Sequence, residues 1–185
     1  PDGNRAFMVL NRPPAIAVLD TTPDPRSTPP GVPVNRILRA INIGPGPSRL
    51  ALSRAPALVS GAGPRPLRTL LYVALFTSGE LAVVDPESGM LINSIFIGRG
   101  PNAVALNYGG PSDGGHINPC ADPYVSKDRP GLQCPAGDTL RVQSGPRAYV
   151  TSYIDNVVTV VDLDPTSQSY HRVVSRIGLP APKVQ

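Results

Sequence analysis

Apolar and polar positions alternate along this chain in short runs, and the runs recur in a fixed order. Arg147-Ala148-Tyr149-Val150-Thr151-Ser152 is followed by Asn156-Val157-Val158-Thr159-Val160-Val161-Asp162. Leu70-Leu71-Tyr72-Val73-Ala74 leads in the same way to Leu81-Ala82-Val83-Val84-Asp85, and Arg5-Ala6-Phe7-Met8-Val9 to Ala15-Ile16-Ala17-Val18-Leu19-Asp20. In each copy an aromatic residue (Phe7, Tyr72 or Tyr149) precedes an aspartate (Asp20, Asp85 or Asp162) by 13 positions. Short runs rich in Val, Ile and Leu, bounded by Gly, Pro, Asn and Asp, read as β-strands joined by turns. Each copy therefore predicts a hairpin.

The pattern continues beyond the hairpins. A first unit, about 1–53, adds a polar, proline-rich loop over 21–31, a third strand over 36–43 and a fourth over 48–53. A second unit, about 70–106, places strands at 70–76, 80–85, 90–97 and 102–106. A third unit, about 147–185, has its third strand near 170–177. Two insertions, about 54–69 and 107–146, separate the units. Four short strands recurring roughly every 40 residues are the sequence mark of a β-propeller blade. The expected fold is all-β: about three blades of four antiparallel strands, each stacked on its neighbours.

Composition agrees with this pattern. Of 185 residues, 41% are hydrophobic, enough for a core. The 24 prolines and 18 glycines punctuate apolar runs instead of forming tracts, and so many prolines would break most helices. The net charge is +4, and 15 of the 17 basic residues are arginine. Those arginines (Arg12, Arg39, Arg68, Arg99, Arg141 and Arg176 among them) are scattered. Nucleic-acid binding calls for a concentrated basic stripe with stacking aromatics, so the charge reads as solvated surface. No apolar run approaches the ~20 residues of a membrane helix. The opening Pro1-Asp2-Gly3 carries no signal peptide, and a mature or trimmed product is the expectation.

At Tyr149-Val150-Thr151-Ser152 and Asn156–Asp162 the chain resembles the YVTN family of β-propeller repeats. That repeat has a YVTN-like strand, a V-x-V-I-D strand, a third strand and a G-x-x-P corner. Gly98-Arg99-Gly100-Pro101 and Gly44-Pro45-Gly46-Pro47 match the corner, and Pro1-Asp2-Gly3 matches the turn into the first strand. Phe7-Met8-Val9-Leu10 departs from the strand motif, and Gly178-Leu179-Pro180-Ala181-Pro182 has one extra corner residue. The resemblance covers the three units and leaves the insertions outside. It implies a fold and an extracytoplasmic location, not one activity.

Propellers typically close with about four to eight blades, so three units leave an open ring. The chain is then a piece of a longer propeller, or two copies complete one ring, or the blades abut a different subunit. Exposed strand edges are a pairing hazard, and the isolated chain is not expected to be a stable monomer.

The chemistry is sparse. Asp20, Asp85 and Asp162 each stand at a strand end before turn-forming residues, where a carboxylate caps the turn. One per blade, they do not form an acid–base pair. Cys120 and Cys134 lie in the second insertion, and an even count there predicts a disulfide in an exported protein. His116 with these cysteines makes only three nominal zinc ligands at an unfamiliar spacing. His171 falls within the expected third strand and reads as exposed. The aspartates over 113–138 offer oxygen donors for a structural calcium, though no D-x-D-x-D-G loop is present. No G-x-S-x-G elbow or C-x-x-C-H haem motif occurs. No catalytic, cofactor-binding or metal-binding residue is assigned, and no cofactor is expected.

The leading expectation is a non-catalytic extracytoplasmic scaffold. Its long loops, above all 107–145, would bind a protein partner or further blades of the same or another copy. Two alternatives stand beside it. One is an enzyme or enzyme subunit like the lactonase-like and dehydrogenase-associated propellers of the family. The other is a surface-layer or filament component.

Overall fold

In a computed structural model, residues 4–27, 29–56, 67–107, 146–165 and 167–178 are described. They hold eleven strands and no helix: β1 (Arg5–Asn11), β2 (Pro14–Asp20), β3 (Arg36–Asn42), β4 (Pro47–Pro56), β5 (Leu67–Leu75), β6 (Glu80–Asp85), β7 (Met90–Phe96), β8 (Pro101–Asn107), β9 (Arg147–Ser152), β10 (Val157–Asp162) and β11 (Val173–Gly178). With no helix among these residues, there is none long and apolar enough to cross a membrane.

The strands form three antiparallel sheets: β1-β2-β3, β4-β5-β6-β7 and β8-β9-β10-β11. We call these sheets 1, 2 and 3. They do not close into a ring among the described residues. The alternation read from sequence sets the registers. Phe7 lies opposite Val18, Tyr72 opposite Val83 and Tyr149 opposite Val160, so each repeat places its aromatic at the same point of its sheet.

The fourth strand of each sequence unit does not pair within its unit. β4 pairs with β5 and β8 pairs with β9, so the last strand of one unit opens the next sheet. The corners explain the crossing. Gly46 and Gly100 have φ of +71° and +65°, a region that glycine enters at low cost. Buried Pro47 and Pro101 follow them and begin the next strands. Phe76 N donates to Gly46 O at 2.6 Å, and Tyr153 N donates to Gly100 O at 2.9 Å. Each corner is thus fastened to the hairpin turn of the sheet it enters.

Two apolar clusters hold the stack. Ile16, Val18 and Ile41 of sheet 1 pack on Leu71, Val73, Leu75, Ala82 and Val84 of sheet 2. Leu70, Tyr72, Ala74, Leu81 and Val83, on the opposite face of sheet 2, pack on Ala148, Val150 and Val161 of sheet 3. Sheet 2 is buried on both faces. This explains why Leu70–Leu75 is an unbroken apolar run and not an alternating one. Each fully buried Leu or Val contributes roughly 1.5–3 kcal/mol relative to exposure. Ser48 Oγ bridges the inner strands, donating to Ala74 O or Pro101 O at 3.1 and 3.0 Å.

The strand directions sort the connections onto two rims. One rim carries short links: the β1–β2 and β5–β6 turns, the β9–β10 turn and the 43–46 and 97–100 corners. The opposite rim carries residues 21–35, 57–66, 86–89, 108–146 and 163–172. The long connections leave regular hairpins. Pro56 pairs with Leu67, and Asn107 with Arg147, so each insertion starts and returns at adjacent strand ends.

Candidate functional site

The recurring aspartates stand on the long-connection rim, at the ends of β2, β6 and β10. Each is engaged by its own turn. Asp20 Oδ1 accepts from Thr22 N at 3.0 Å and Thr22 Oγ1 at 2.6 Å. Asp85 Oδ1 accepts from Glu87 N at 2.9 Å, and its Oδ2 from Ser88 Oγ at 2.7 Å. Asp162 Oδ1 accepts from Asp164 N at 3.0 Å, and its Oδ2 from Ser169 Oγ at 2.5 Å. The Thr22 bonds hold the Asp20 carboxyl below the usual carboxylate range, with help from Arg36 at 3.5 Å. For Asp162, burial pushes upward, but the Ser169 and Asp164 bonds prevail and the net direction is down. These carboxylates stay ionised and occupied, which suits turn geometry and not proton transfer.

The three aromatics divide differently. Tyr72 is fully buried between sheets 2 and 3. Phe7 is half-buried against sheet 2. Tyr149 points away from sheet 2, because its neighbours Ala148 and Val150 take the inward side of β9.

His171 departs from the sequence expectation. β11 begins at Val173, so His171 lies in the preceding turn, with φ +58°, and is buried. Its N donates to Asp162 O at 2.8 Å, which turns the ring inward. There its Nε2 meets Tyr72 Oη at 3.0 Å, the rings standing edge-on with centroids 5.8 Å apart. Tyr170 stacks on its other side at 3.8 Å. Burial pushes the imidazole pKa down to about 4, against the upward pull of Asp162. A neutral ring accepts the Tyr72 proton, and the pair locks sheet 3 to sheet 2. The two tyrosines at its faces leave it a structural imidazole. The sequence signal for this position was weak: a Tyr-His pair just before a strand, with nothing local to reveal the partner.

The short-link rim holds a second unforeseen contact. Arg99, in the corner between β7 and β8, donates from N at 2.6 Å and from Nε at 2.7 Å to Asp155 of the β9–β10 turn. Both bonds hold the Asp155 carboxyl below its ordinary range. Phe76 and Ile154 flank Gly100 on this rim, and both are substantially exposed.

Among the described residues, no three His, Cys, Asp or Glu side chains gather as metal ligands. The expected Cys120–Cys134 disulfide, the acidic residues over 113–138 and His116 lie outside the described residues. The chain matches no protein-family model and no curated protein.

Proposed function

We propose that this chain is part of a YVTN-type β-propeller, working outside the cytoplasm as a non-catalytic scaffold that binds a protein partner through its long connections. One observation carries this reading: connection length is segregated by rim. Short, hydrogen-bonded links fasten one rim, while the opposite rim collects the long segments, including the 39 residues of 108–146. A rigid frame presenting long segments on one side is the usual architecture of a binding scaffold. The propeller reading is supported by the strand exchange between consecutive sheets and by the aromatic–aspartate repeat. The extracytoplasmic reading is supported by Cys120 and Cys134 sharing one connection.

Photo-crosslinking tests it. A crosslinking residue is placed at Arg26, Glu87 or Gln168 on the long-connection rim, and at Phe76 or Tyr153 on the other. All five positions are exposed. A partner captured from the first set and not the second is the expected result. Capture confined to Phe76 and Tyr153 would contradict the reading.

A further inference from the structure

The two outermost sheet faces are halves of the same contact. The register pairs Met8/Ala17, Val73/Ala82 and Val150/Thr159 occupy equivalent positions in sheets 1, 2 and 3. Val73 and Ala82 are buried against sheet 1. Val150 is buried against sheet 2, and Thr159 Oγ1 donates to Ile97 O there at 2.8 Å. Met8/Ala17 has no sheet in front of it. On the other face the order is reversed. Phe7/Val18 packs on sheet 2 and Tyr72/Val83 on sheet 3, whereas Tyr149/Val160 points outward.

The outward face of sheet 1 is therefore the receiving kind: Ala15 and Ala17 form its floor, and Met8 and Ile37 stand above it, 50% and 63% exposed. The outward face of sheet 3 is the inserting kind, with Tyr149, Val158, Val160 and Ile177, the last 57% exposed. Each is apolar, and each matches a surface that the chain buries twice within itself. Contiguous apolar faces of this kind mark interaction sites in soluble proteins.

We infer that the outward face of sheet 3 packs on the outward face of sheet 1 of a second copy, head to tail. The internal sheet 1–2 and 2–3 contacts are the template, and one chain carries both complementary halves. The contact is heterologous, joining different surfaces of the two copies. It rests on the equivalence of the three sheets and uses neither rim, so it is independent of partner binding by the long connections.

The test is sedimentation of the full chain with two face variants. Met8→Asp blocks the receiving face and Ile177→Asp the inserting face, both at half-exposed sites, with circular dichroism confirming the strands. The wild type should sediment at twice the 19.4 kDa chain mass or more, and each variant alone as a monomer. An equimolar mixture should regain a 1:1 dimer, because one intact receiving face meets one intact inserting face. The double variant should stay monomeric in every mixture. A folded wild type that remains monomeric at ~100 µM would overturn the inference. So would variants that still self-associate, or a mixture that stays monomeric. If either variant loses its strands, Met8→Ser and Ile177→Ser replace them, with the same outcomes expected at higher concentration.

Discussion

Tyr72 and His171 stand 99 positions apart and meet at 3.0 Å between two sheets. The phenol comes from the middle of β5 and the imidazole from the turn before β11. Local pattern builds each strand, but this bond joins the second repeat to the third. Replacing Tyr72 by Phe keeps the ring and its apolar contacts while leaving the buried imidazole nitrogen without this donor. The expected loss is about 1–3 kcal/mol, read from urea unfolding.

The same bond gives the chain an acid sensitivity. His171 has its pKa lowered to about 4 from an ordinary 6.5. Between those values the unfolded chain binds a proton that the folded chain does not. Stability therefore falls as pH drops from about 6.5 to about 4, by up to ~3 kcal/mol for this group. Below both values the loss is complete. The aspartates contribute with the same sign at lower pH, since Asp20, Asp155 and Asp162 are all held below their ordinary value. Melting temperatures from pH 7 to 4 should decline in the wild type. In His171→Asn, which tolerates the positive φ, the decline between pH 6.5 and 5 should largely disappear.

Much of this architecture was legible in the residues, and the reasons are local. The hairpins around Tyr72 and Tyr149 follow from apolar alternation bounded by Ser78-Gly79 and Asp155-Asn156. The aspartate turns follow from carboxylates placed two residues before a free amide. What could not be read was partnership. The sequence of β4 specifies a strand, yet nothing within Pro47–Ser53 states that it pairs with β5 and not β3. That choice is made by the Gly46 corner and its bond to Phe76. His171 was misplaced for the same reason. Its burial depends on a sheet formed by residues far upstream, and its positive φ breaks the strand pattern one turn later than expected.

The corners predict a sharp contrast between glycines. A Cβ on Gly46 would stand 2.7 Å from Thr77 N and 2.2 Å from Thr77 Oγ1, in a backbone fixed by the Phe76–Gly46 bond. Gly31 also has positive φ, at +93°, but nothing lies within 4 Å of its Cβ position. Gly31→Ala should cost only the conformational penalty, about 1–2 kcal/mol. Gly46→Ala adds a clash with backbone and should cost about 3 kcal/mol or more. Paired denaturation curves measure the difference, and equal costs would count against the corner as a fixed joint.

The aspartate turns can be weighed in the same way. Asp85 is buried and accepts from Glu87 N and Ser88 Oγ. Asp85→Ala should destabilise by about 1–3 kcal/mol. Asp85→Asn retains one carbonyl oxygen for the Glu87 amide and should recover part of that loss, as urea midpoints would show. A catalytic carboxylate would behave differently, with stability unchanged and turnover lost.

Replacement of the longest connection reaches the central claim most directly. Residues 109–144 are exchanged for a short Asn-Gly turn, which the Asn107–Arg147 pairing allows because both strand ends are already adjacent. Partner co-isolation is then compared with that of the unaltered chain, with melting recorded on the same samples. A frame that holds while its long connections bind predicts an unchanged melting transition and loss of the partner. Full partner retention by a folded, shortened chain would contradict it.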